Sequence, residues 1–127
     1  MAEKSIAIIG ASSRRDRFAN KAVRAYAEAG YTVYAVHPKE DRVEGLPVYR
    51  SVADIPGPVA IANLYVAPAV GIDMLEGFKA KGIKAVYANP GAASPELLDK
   101  GRALGLEMRP RCSILAIGRT PSEFPDE

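Results

Sequence analysis

Short apolar runs alternate with amphipathic segments along the chain. The first run, residues 6–9, is an unbroken stretch of Ile and Ala, which is typical of a strand buried on both faces of a sheet. Gly10 ends this run, and apolar residues then recur at helical spacing over residues 18–29. Gly30 follows as a suitable C-terminal cap. The opening stretch is therefore predicted to be a strand, a glycine turn and a helix.

The same alternation continues to the C-terminus. Runs rich in Val, Ile and Tyr predict strands. A proline at the start of an amphipathic segment is typical of the first turn of a helix. Pro47 places one of the strands at an edge of the sheet. The further strands are predicted at residues 31–36, 46–49, 59–66, 83–87 and 106–108. Helices are predicted at 68–81 and from Pro95 to about Leu104, helical turns at 51–55 and 112–117, and a frayed tail at 120–127.

Strands that alternate with helices form a parallel sheet with helices on both faces. At 127 residues the chain has room for one domain, so we predict a single α/β domain over residues 1–127. Right-handed crossovers favour a doubly wound, mostly parallel, Rossmann-like sheet. Ligands of such sheets bind beyond the carboxyl ends of the strands, where four turns should meet. These turns are residues 10–17, 37–39, 66–68 and 89–92.

The first of these turns combines small residues with basic ones. Loop amides and the N-terminus of the following helix favour a bound anion, and small residues allow a phosphate to approach the backbone. The fingerprint G-x-G-x-x-G is absent, because Ser12 and Arg15 stand at its second and third glycine positions. A solvated polar loop is the alternative interpretation. We predict that the turn binds a diphosphate through Gly10, Ala11, Ser12, Ser13 and Arg17.

The end of the second predicted strand bears on which nucleotide the turn would hold. NAD-binding proteins place an acid there for the ribose hydroxyls. Here the strand ends in His37, Pro38 and Lys39, with no acid before Glu40. Lys39 would attract an additional ribose phosphate, which a carboxylate would repel. The 3′-phosphate of coenzyme A or the 2′-phosphate of NADP therefore suits this position better than NAD, unless Lys39 is an ordinary surface lysine.

Composition narrows the possible partners. A net charge of +2 gives no general case for nucleic-acid binding. The single cysteine excludes an internal disulfide and a cysteine-based metal cage, and it fits a reducing cytoplasm. No apolar run approaches the length of a membrane span, and the first strand begins too early to leave room for a signal peptide. We expect a cytoplasmic protein with a small-molecule ligand and without nucleic-acid or membrane partners.

Groups suited to catalysis are few. His37 is the only histidine, and no G-x-S-x-G motif lies near it. Cys112 follows Arg111, but a buried and inert thiol is the common case. One histidine and one cysteine are too few for a typical metal site. We predict no catalytic residues and no metal ligands, and we interpret the tyrosines as packing residues.

Several short motifs also occur together in a characteristic order. They are I-x-x-x-G-A-S at residues 6–12, Asp16-Arg17 before the first helix, Gly30-Tyr31 after it, V-x-P-K at 36–39, V-x-P at 66–68, and Arg111-Cys112. In order and spacing, over nearly the whole chain, they resemble the small stand-alone coenzyme A-binding proteins. Those proteins are related to the N-terminal coenzyme A-binding domain of the succinyl-CoA synthetase α subunit.

This resemblance implies a Rossmann-like domain that binds coenzyme A. In that family, residues like 10–12 line the pyrophosphate turn, and residues like 37–39 surround the adenosine phosphate. Residues like Val66 and Pro68 border the adenine or the pantetheine, and Gly91 is the one residue carried over from the fourth turn.

The sequence also departs from the family. The family usually has Asn or Ser in place of His37, often Pro in place of Phe18, and Asp or Asn in place of Pro110. The phosphorylated histidine of the synthetase belongs to a second domain that this chain lacks, so ligase activity is not expected from the chain alone.

Two hypotheses from different classes remain. The first is a non-catalytic protein that binds coenzyme A or acyl-CoA. The alternative is an NADP-dependent reductase, or its isolated NADP-binding domain, which would also explain Lys39 and the missing acid. A regulatory domain with an empty nucleotide pocket is a third possibility. The sequence leaves open whether the protein is a monomer or a homodimer.

Overall fold

The computed structural model describes residues 4–127, and within them the chain forms one seven-stranded sheet flanked by helices. The strands are β1 (Ser5–Ile9), β2 (Thr32–Val36), β3 (Arg42–Val43), β4 (Leu46–Tyr49), β5 (Ile61–Leu64), β6 (Ala85–Ala88) and β7 (Glu107–Arg109). The helices are α1 (Phe18–Glu28), α2 (Pro68–Ile72), α3 (Leu75–Lys81), α4 (Pro95–Ala103) and α5 (Ser113–Ala116), with 3₁₀ turns at Val52–Asp54 and Pro121–Glu123.

The strand order is β3-β4-β2-β1-β5-β6-β7, and each neighbouring pair is parallel except β3 with β4. The predicted α/β, Rossmann-like fold is therefore confirmed. The order reverses at β1, which pairs with β2 on one side and with β5 on the other. Ile9, the last residue of β1, is in register with Val36 and Leu64, the last residues of β2 and β5. The turns after these three strands consequently leave the sheet side by side.

β1 is buried on both faces, as its unbroken apolar run predicts. Ile6 and Ile8 pack in one cluster with the buried residues of α1 and α5, whereas Ala7 and Ile9 pack in another with those of α3 and α4. None of the four is more than 1% exposed. The alternation of side chains along a strand thus joins two cores through one central element.

The edge of the sheet differs from the prediction. No strand was predicted between residues 36 and 46, but residues 42–43 form β3, so β4 is not the edge strand. Glu44 and Gly45, at φ of 49° and 79°, connect β3 to β4 in a two-residue hairpin. Val43 is fully buried and anchors this hairpin on the α1 side of the sheet. Two strand residues between charged neighbours are too short a pattern for the sequence to reveal.

The helix predicted at residues 68–81 is interrupted, so that α2 ends and α3 begins within it. The amides of Asp73 and Met74 bond to the carbonyls three residues back, at Val70 and Gly71, instead of four. This tightening ends the regular ladder for one turn before α3 resumes. Gly71 is buried at this point and packs closely against α4, since a Cβ on it would lie 3.0 Å from Leu97 Cδ1.

Residues 120–127, expected to be a frayed tail, pack against α1. Thr120 and Glu123 form a capping box around the last 3₁₀ turn. Phe124 is only 3% exposed and lies beneath the guanidinium groups of Arg24 and Arg119. One aromatic side chain with two cationic neighbours is enough to hold a short segment that contains no regular helix or strand.

Candidate functional site

A cleft lies over the carboxyl ends of β1, β2 and β5, and Gly10 is its central residue. The amides of Gly10 and Ala11 donate to the carbonyl of Val36, at 2.9 and 3.2 Å. The φ of Gly10 is +86°, and a Cβ on it would lie 3.0 Å from the Tyr65 carbonyl oxygen and 3.1 Å from Val66 Cγ1. Only glycine fits a position that combines this backbone conformation with so close an approach to β5.

The cleft has three adjoining compartments. The main one, of about 410 Å³, is lined by Gly10, Ser12, Arg14, Arg17, Phe18, Ala19, His37 and Tyr65. A second, of about 300 Å³, shares Gly10, His37 and Tyr65 with it and adds Ile9, Val36, Pro38, Arg50, Val66, Val70 and Met74. A third, of about 200 Å³, shares Phe18 and Tyr65 with the main one and adds Asn89, Pro90, Cys112, Ile114 and Pro121. Because the second and third compartments each share lining residues with the main one, the three form one elongated site, and the polar main compartment is its centre.

The structure brings six of the predicted site residues to the walls of this cleft. They are Gly10, Ser12, Arg17, His37, Pro38 and Val66. The other five are not among the lining residues. Ala11 is buried beneath the turn, and Pro68 is the first residue of α2. Ser13, Lys39 and Gly91 are exposed, and Gly91 has a φ of +91°. Their predicted contacts with a ligand remain predictions.

The N-terminus of α1 presents donors to the main compartment. The amides of Phe18 and Ala19 have no acceptor among residues 4–127, and the first turn of α1 contains no acidic residue. Arg17 forms no ion pair within the described chain, whereas Arg14 forms an ion pair with Asp16, with 3.1 Å between Nη2 and Oδ2. Unpaired amides, a helix dipole and two guanidinium groups favour negative charge at this end of the cleft.

The remainder of the turn is held in place from behind. Asn20 Nδ2 donates to the Ser12 carbonyl at 2.9 Å and to Glu44 at 3.0 Å. Glu44 also accepts from the Arg15 guanidinium at 3.0 and 3.1 Å. Burial opposes ionisation of Glu44, but the hydrogen bonds from Asn20 and Arg15 outweigh it and hold its pKa below the ordinary value. Arg15 is thus a structural residue of the turn, which explains why it does not line the cleft.

His37 closes the loop that follows β2. Its Nδ1 accepts from the backbone amides of Lys39 at 2.9 Å and Glu40 at 3.0 Å. Since Nδ1 is an acceptor, the neutral imidazole carries its proton on Nε2, which has no partner within the described chain. Asn or Ser, which are common at this position in the family that the sequence resembles, can cap loop amides in the same way. His37 therefore shapes the cleft and leaves one donor beside it.

A buried polar network, which was not predicted from the sequence, forms the opposite wall. Asn63 Nδ2 donates to Ser113 Oγ at 2.7 Å. Asn89 Nδ2 donates to Asn63 Oδ1 at 2.5 Å and to the Leu64 carbonyl at 2.8 Å, and Asn89 Oδ1 accepts from the Ser113 amide at 2.9 Å. The one signal in the sequence is an asparagine inside the otherwise apolar β5. The network ties β5, β6 and α5 together behind the third compartment.

Tyr65 connects this network to the cleft. Its hydroxyl lies 3.2 Å from Ser113 Oγ, and Tyr65 borders all three compartments. Burial raises the pKa of Tyr65 to about 12, so the side chain is a neutral phenol at physiological pH. Tyr65 was interpreted as a packing residue, but its position at the junction of the compartments makes it part of the site. Phe18, which is 60% exposed, faces the same junction.

The described residues form neither a cluster of metal ligands nor a helix suited to crossing a membrane. Among residues 4–127, no three His, Cys, Asp or Glu side chains lie close enough together to hold a metal ion. Over the same range, no helix combines the length and the apolar character that crossing a membrane requires.

Known proteins that resemble this chain include both small proteins and a segment of a large enzyme. The uncharacterized protein YneT of Bacillus subtilis is 28% identical over 109 residues, which are 83% of this chain and 81% of YneT. A solved structure, a hypothetical protein from Pyrococcus horikoshii OT3, has a TM-score of 0.83 and 32% identity over 89% of this chain and 80% of its own. The ADP-forming acetate–CoA ligase of Methanocaldococcus jannaschii is 31% identical over 81 residues, which are 64% of this chain but 12% of the ligase.

The match to a protein family is more extensive than any of these. A family model described as a CoA binding domain covers residues 4–118, which include every strand, α1 to α5 and all three compartments except Pro121. The chain therefore belongs to the family of CoA-binding domains.

Proposed function

We propose that this protein binds coenzyme A or an acyl-CoA in the cleft and performs no chemistry on it. The observation that carries the proposal is the unpaired, positively charged N-terminus of α1 at the centre of an elongated cleft, in a chain of the CoA-binding family. The acetate–CoA ligases that share this segment are named for their action on coenzyme A. The segment is 12% of the Methanocaldococcus jannaschii ligase and 10% of an Archaeoglobus fulgidus ligase.

In this proposal the diphosphate occupies the main compartment. The amides of Phe18 and Ala19 would donate to its oxygens, and Arg14 and Arg17 would balance its charge. Gly10 has no side chain to block the approach, and Ser12 adds a hydroxyl at the rim of the compartment. A helix N-terminus is suited to this role because its first amides point along the axis toward the anion.

The adenosine end would lie beside the loop after β2. His37 fixes the backbone of Lys39, and the Lys39 ammonium is exposed and forms no ion pair within the described residues. An exposed, uncompensated cation beside the cleft favours an additional phosphate. We assign Lys39 to the 3′-phosphate and Pro38 to the wall next to it.

The remaining length of the ligand would lie along the apolar parts of the cleft. Val66 lines the second compartment, Pro68 follows it at the start of α2, and Ile114 and Pro90 line the third. Extended, weakly polar groups such as pantetheine and a short acyl chain match these walls. Gly91, next to Pro90, would allow close approach of the terminal group.

The absence of catalysis is part of the proposal and is supported by how His37 is used. Its Nδ1 is engaged by two backbone amides, and neither Cys112 nor a serine hydroxyl lies within hydrogen-bonding distance of it in the described chain. A nucleophile next to a base is the geometry that acyl transfer requires. A reductase would bind NADP at the same turn, but family membership favours coenzyme A over it.

Calorimetric titration with coenzyme A, 3′-dephospho-coenzyme A and NADPH tests this function. Coenzyme A should bind most tightly, and Lys39→Ala should weaken it by roughly three- to tenfold, as expected for a partly exposed charge-assisted contact. Lys84→Ala is the matched control, because Lys84 is an exposed lysine just before β6, at the amino ends of the strands and so at the end of the sheet opposite the cleft. Tighter binding of NADPH, or no binding of coenzyme A, would overturn the proposal. Equal binding of the two coenzyme A forms would remove only the role of Lys39.

A further inference from the structure

Ser13 does not line the cleft, and its polar groups bind a carboxylate of the same chain. The backbone amide of Ser13 donates to Glu40 Oε2 at 2.7 Å, and the Ser13 hydroxyl lies 2.9 and 3.1 Å from the two carboxylate oxygens. These contacts join the turn after β1 to the loop after β2 across 27 positions of sequence. Ser13 directly follows Ser12 of the proposed diphosphate turn, and Glu40 directly follows Lys39, which we assigned to the 3′-phosphate.

The contact has the chemistry of phosphate binding. A backbone amide and a hydroxyl surround two oxygens of an anion, as they do when a glycine turn or helix N-terminus holds a phosphate. The Glu40 carboxylate thus stands where an anionic ligand group would find the same two donors. The hydrogen bonds from Ser13, through its amide first, hold the pKa of Glu40 below the ordinary value, so the carboxylate is charged at neutral pH.

Glu40 can leave this position without disturbing the loop that carries it. Its backbone is fixed independently, because its amide donates to His37 Nδ1 at 3.0 Å and its carbonyl accepts from Arg50 Nη1 at 2.8 Å. The side chain itself forms no ion pair within the described residues, and its hydrogen-bond partner there is Ser13. Rotation of the side chain alone would therefore expose the two donors.

We propose that Glu40 is an internal competitor of the ligand, which occupies the donors of Ser13 in the free protein and is displaced when an anionic group of the ligand binds there. This inference rests on the proposed coenzyme A function and adds a selectivity element to it. A single weak anion gains too little to expel a carboxylate held by its own chain. A ligand with several phosphates attached to one scaffold gains enough, because its other phosphates are bound elsewhere in the cleft.

The test compares wild-type protein with Glu40→Gln and Glu40→Ala. Both variants should bind coenzyme A more tightly, by roughly three- to tenfold, because an exposed charge-assisted contact no longer has to be broken. Inorganic pyrophosphate should gain at least as much as coenzyme A. Asp99→Asn, in the middle of α4 and not among the residues that line the cleft, removes the same charge away from Ser13 and should change neither affinity.

A second measurement needs no ligand. In ¹⁵N-labelled protein, the amide proton of Ser13 should lie downfield, as expected of a bond to a carboxylate, and Glu40→Ala should move it upfield by an amount that Asp99→Asn does not reproduce. Unchanged Ser13 resonances would show that the contact is not formed in solution and would overturn the inference.

The two proposals fail in different ways. If coenzyme A does not bind to any variant, the proposed function is wrong whatever the Ser13 resonance shows. If coenzyme A binds and the Ser13 shift is as expected, but Glu40→Gln and Glu40→Ala bind it no more tightly than wild-type protein, Glu40 is not a competitor and the proposed function stands.

Discussion

The two walls of the cleft differ in how their polar groups are satisfied. On the α1 side, the amides of Phe18 and Ala19 and the side chain of Arg17 have no partner in the described chain. On the α5 side, Asn63, Asn89 and Ser113 bond to one another, and no buried side-chain nitrogen or oxygen of the described residues lacks a partner. Exposed donors are satisfied by water or by a bound group, whereas a buried donor without a partner is costly. The first wall is therefore open to a ligand, and the second is closed on itself and supports the site.

The largest effect on stability is expected when the hydrogen-bond network of the supporting wall is disrupted. Asn89→Ala should lower the free energy of unfolding by about 2–4 kcal/mol, because Asn63 Oδ1, the Leu64 carbonyl and the Ser113 amide each lose a partner. Denaturant unfolding measures the loss. The affinity for coenzyme A of the protein that remains folded should change by less than about threefold if this wall only supports the site.

Ser94→Ala provides the benchmark for that experiment. Ser94 Oγ accepts from the Leu97 amide at 3.1 Å at the start of α4, so the variant loses one helix-capping bond, worth about 1 kcal/mol. A loss at Asn89 no greater than this would mean that the network contributes no more than an ordinary cap.

A smaller loss of stability, but a larger loss of affinity for coenzyme A, is expected at Gly10, where the turn after β1 contacts the residues that follow β5. Gly10→Ala should cost about 1–3 kcal/mol, because alanine resists a φ of +86° and its Cβ would meet the Tyr65 carbonyl at 3.0 Å. The turn would shift away from β5, so coenzyme A affinity should fall as well. Thermal unfolding and calorimetry on the same samples measure both quantities.

Gly91→Ala separates the two causes, since Gly91 has a φ of +91° but nothing within 4 Å of a Cβ. It should lose stability from backbone strain alone. Equal losses at both glycines would show that the contact with β5 adds nothing at Gly10.

The smallest effect should appear only in alkali. Burial raises the pKa of Tyr65 to about 12 and raises that of Tyr26 well above its ordinary value, whereas unfolded tyrosines titrate near about 10. Between these pH values the folded state retains phenol protons that the unfolded state loses. The free energy of unfolding is therefore unaffected by these tyrosines below about pH 10, and it falls as the pH rises toward about 12.

Unfolding free energies measured from pH 8 upward should therefore be level at first and then decline. Tyr65→Phe should reduce the steepness of the decline, because it removes one of the two buried phenols whose pKa is raised. A decline that begins well below pH 9 would contradict the burial of Tyr65.

The fold and the open wall of the cleft were predictable because both follow from local patterns. The apolar run of β1 and the glycine after it determine a buried strand and a tight turn, and Ser12 and Arg17 follow at fixed short distances. The supporting wall was not predictable, because Asn63 and Ser113 meet only through the fold, 50 positions apart. The contact of Ser13 with Glu40 belongs to the same class.

Residues that look alike in sequence also have different roles in space. Arg15 and Arg17 stand in one basic turn, but Arg15 pairs with Glu44 of the β3–β4 hairpin, and Arg17 is left for the cleft. The hairpin itself escaped prediction, so the partner of Arg15 did too. Phe124 similarly anchors the segment after α5 through a contact with Arg24, which lies far away in the sequence.

The bonds from Gly10 and Ala11 to the Val36 carbonyl have a kinetic consequence. They give the turn its shape without any ligand, so little conformational entropy is lost when one binds. Association should therefore be fast and only weakly dependent on temperature, with rotation of the Glu40 side chain as the one internal step that precedes full engagement. Such a binding protein follows changes in ligand concentration promptly instead of waiting for a loop to fold.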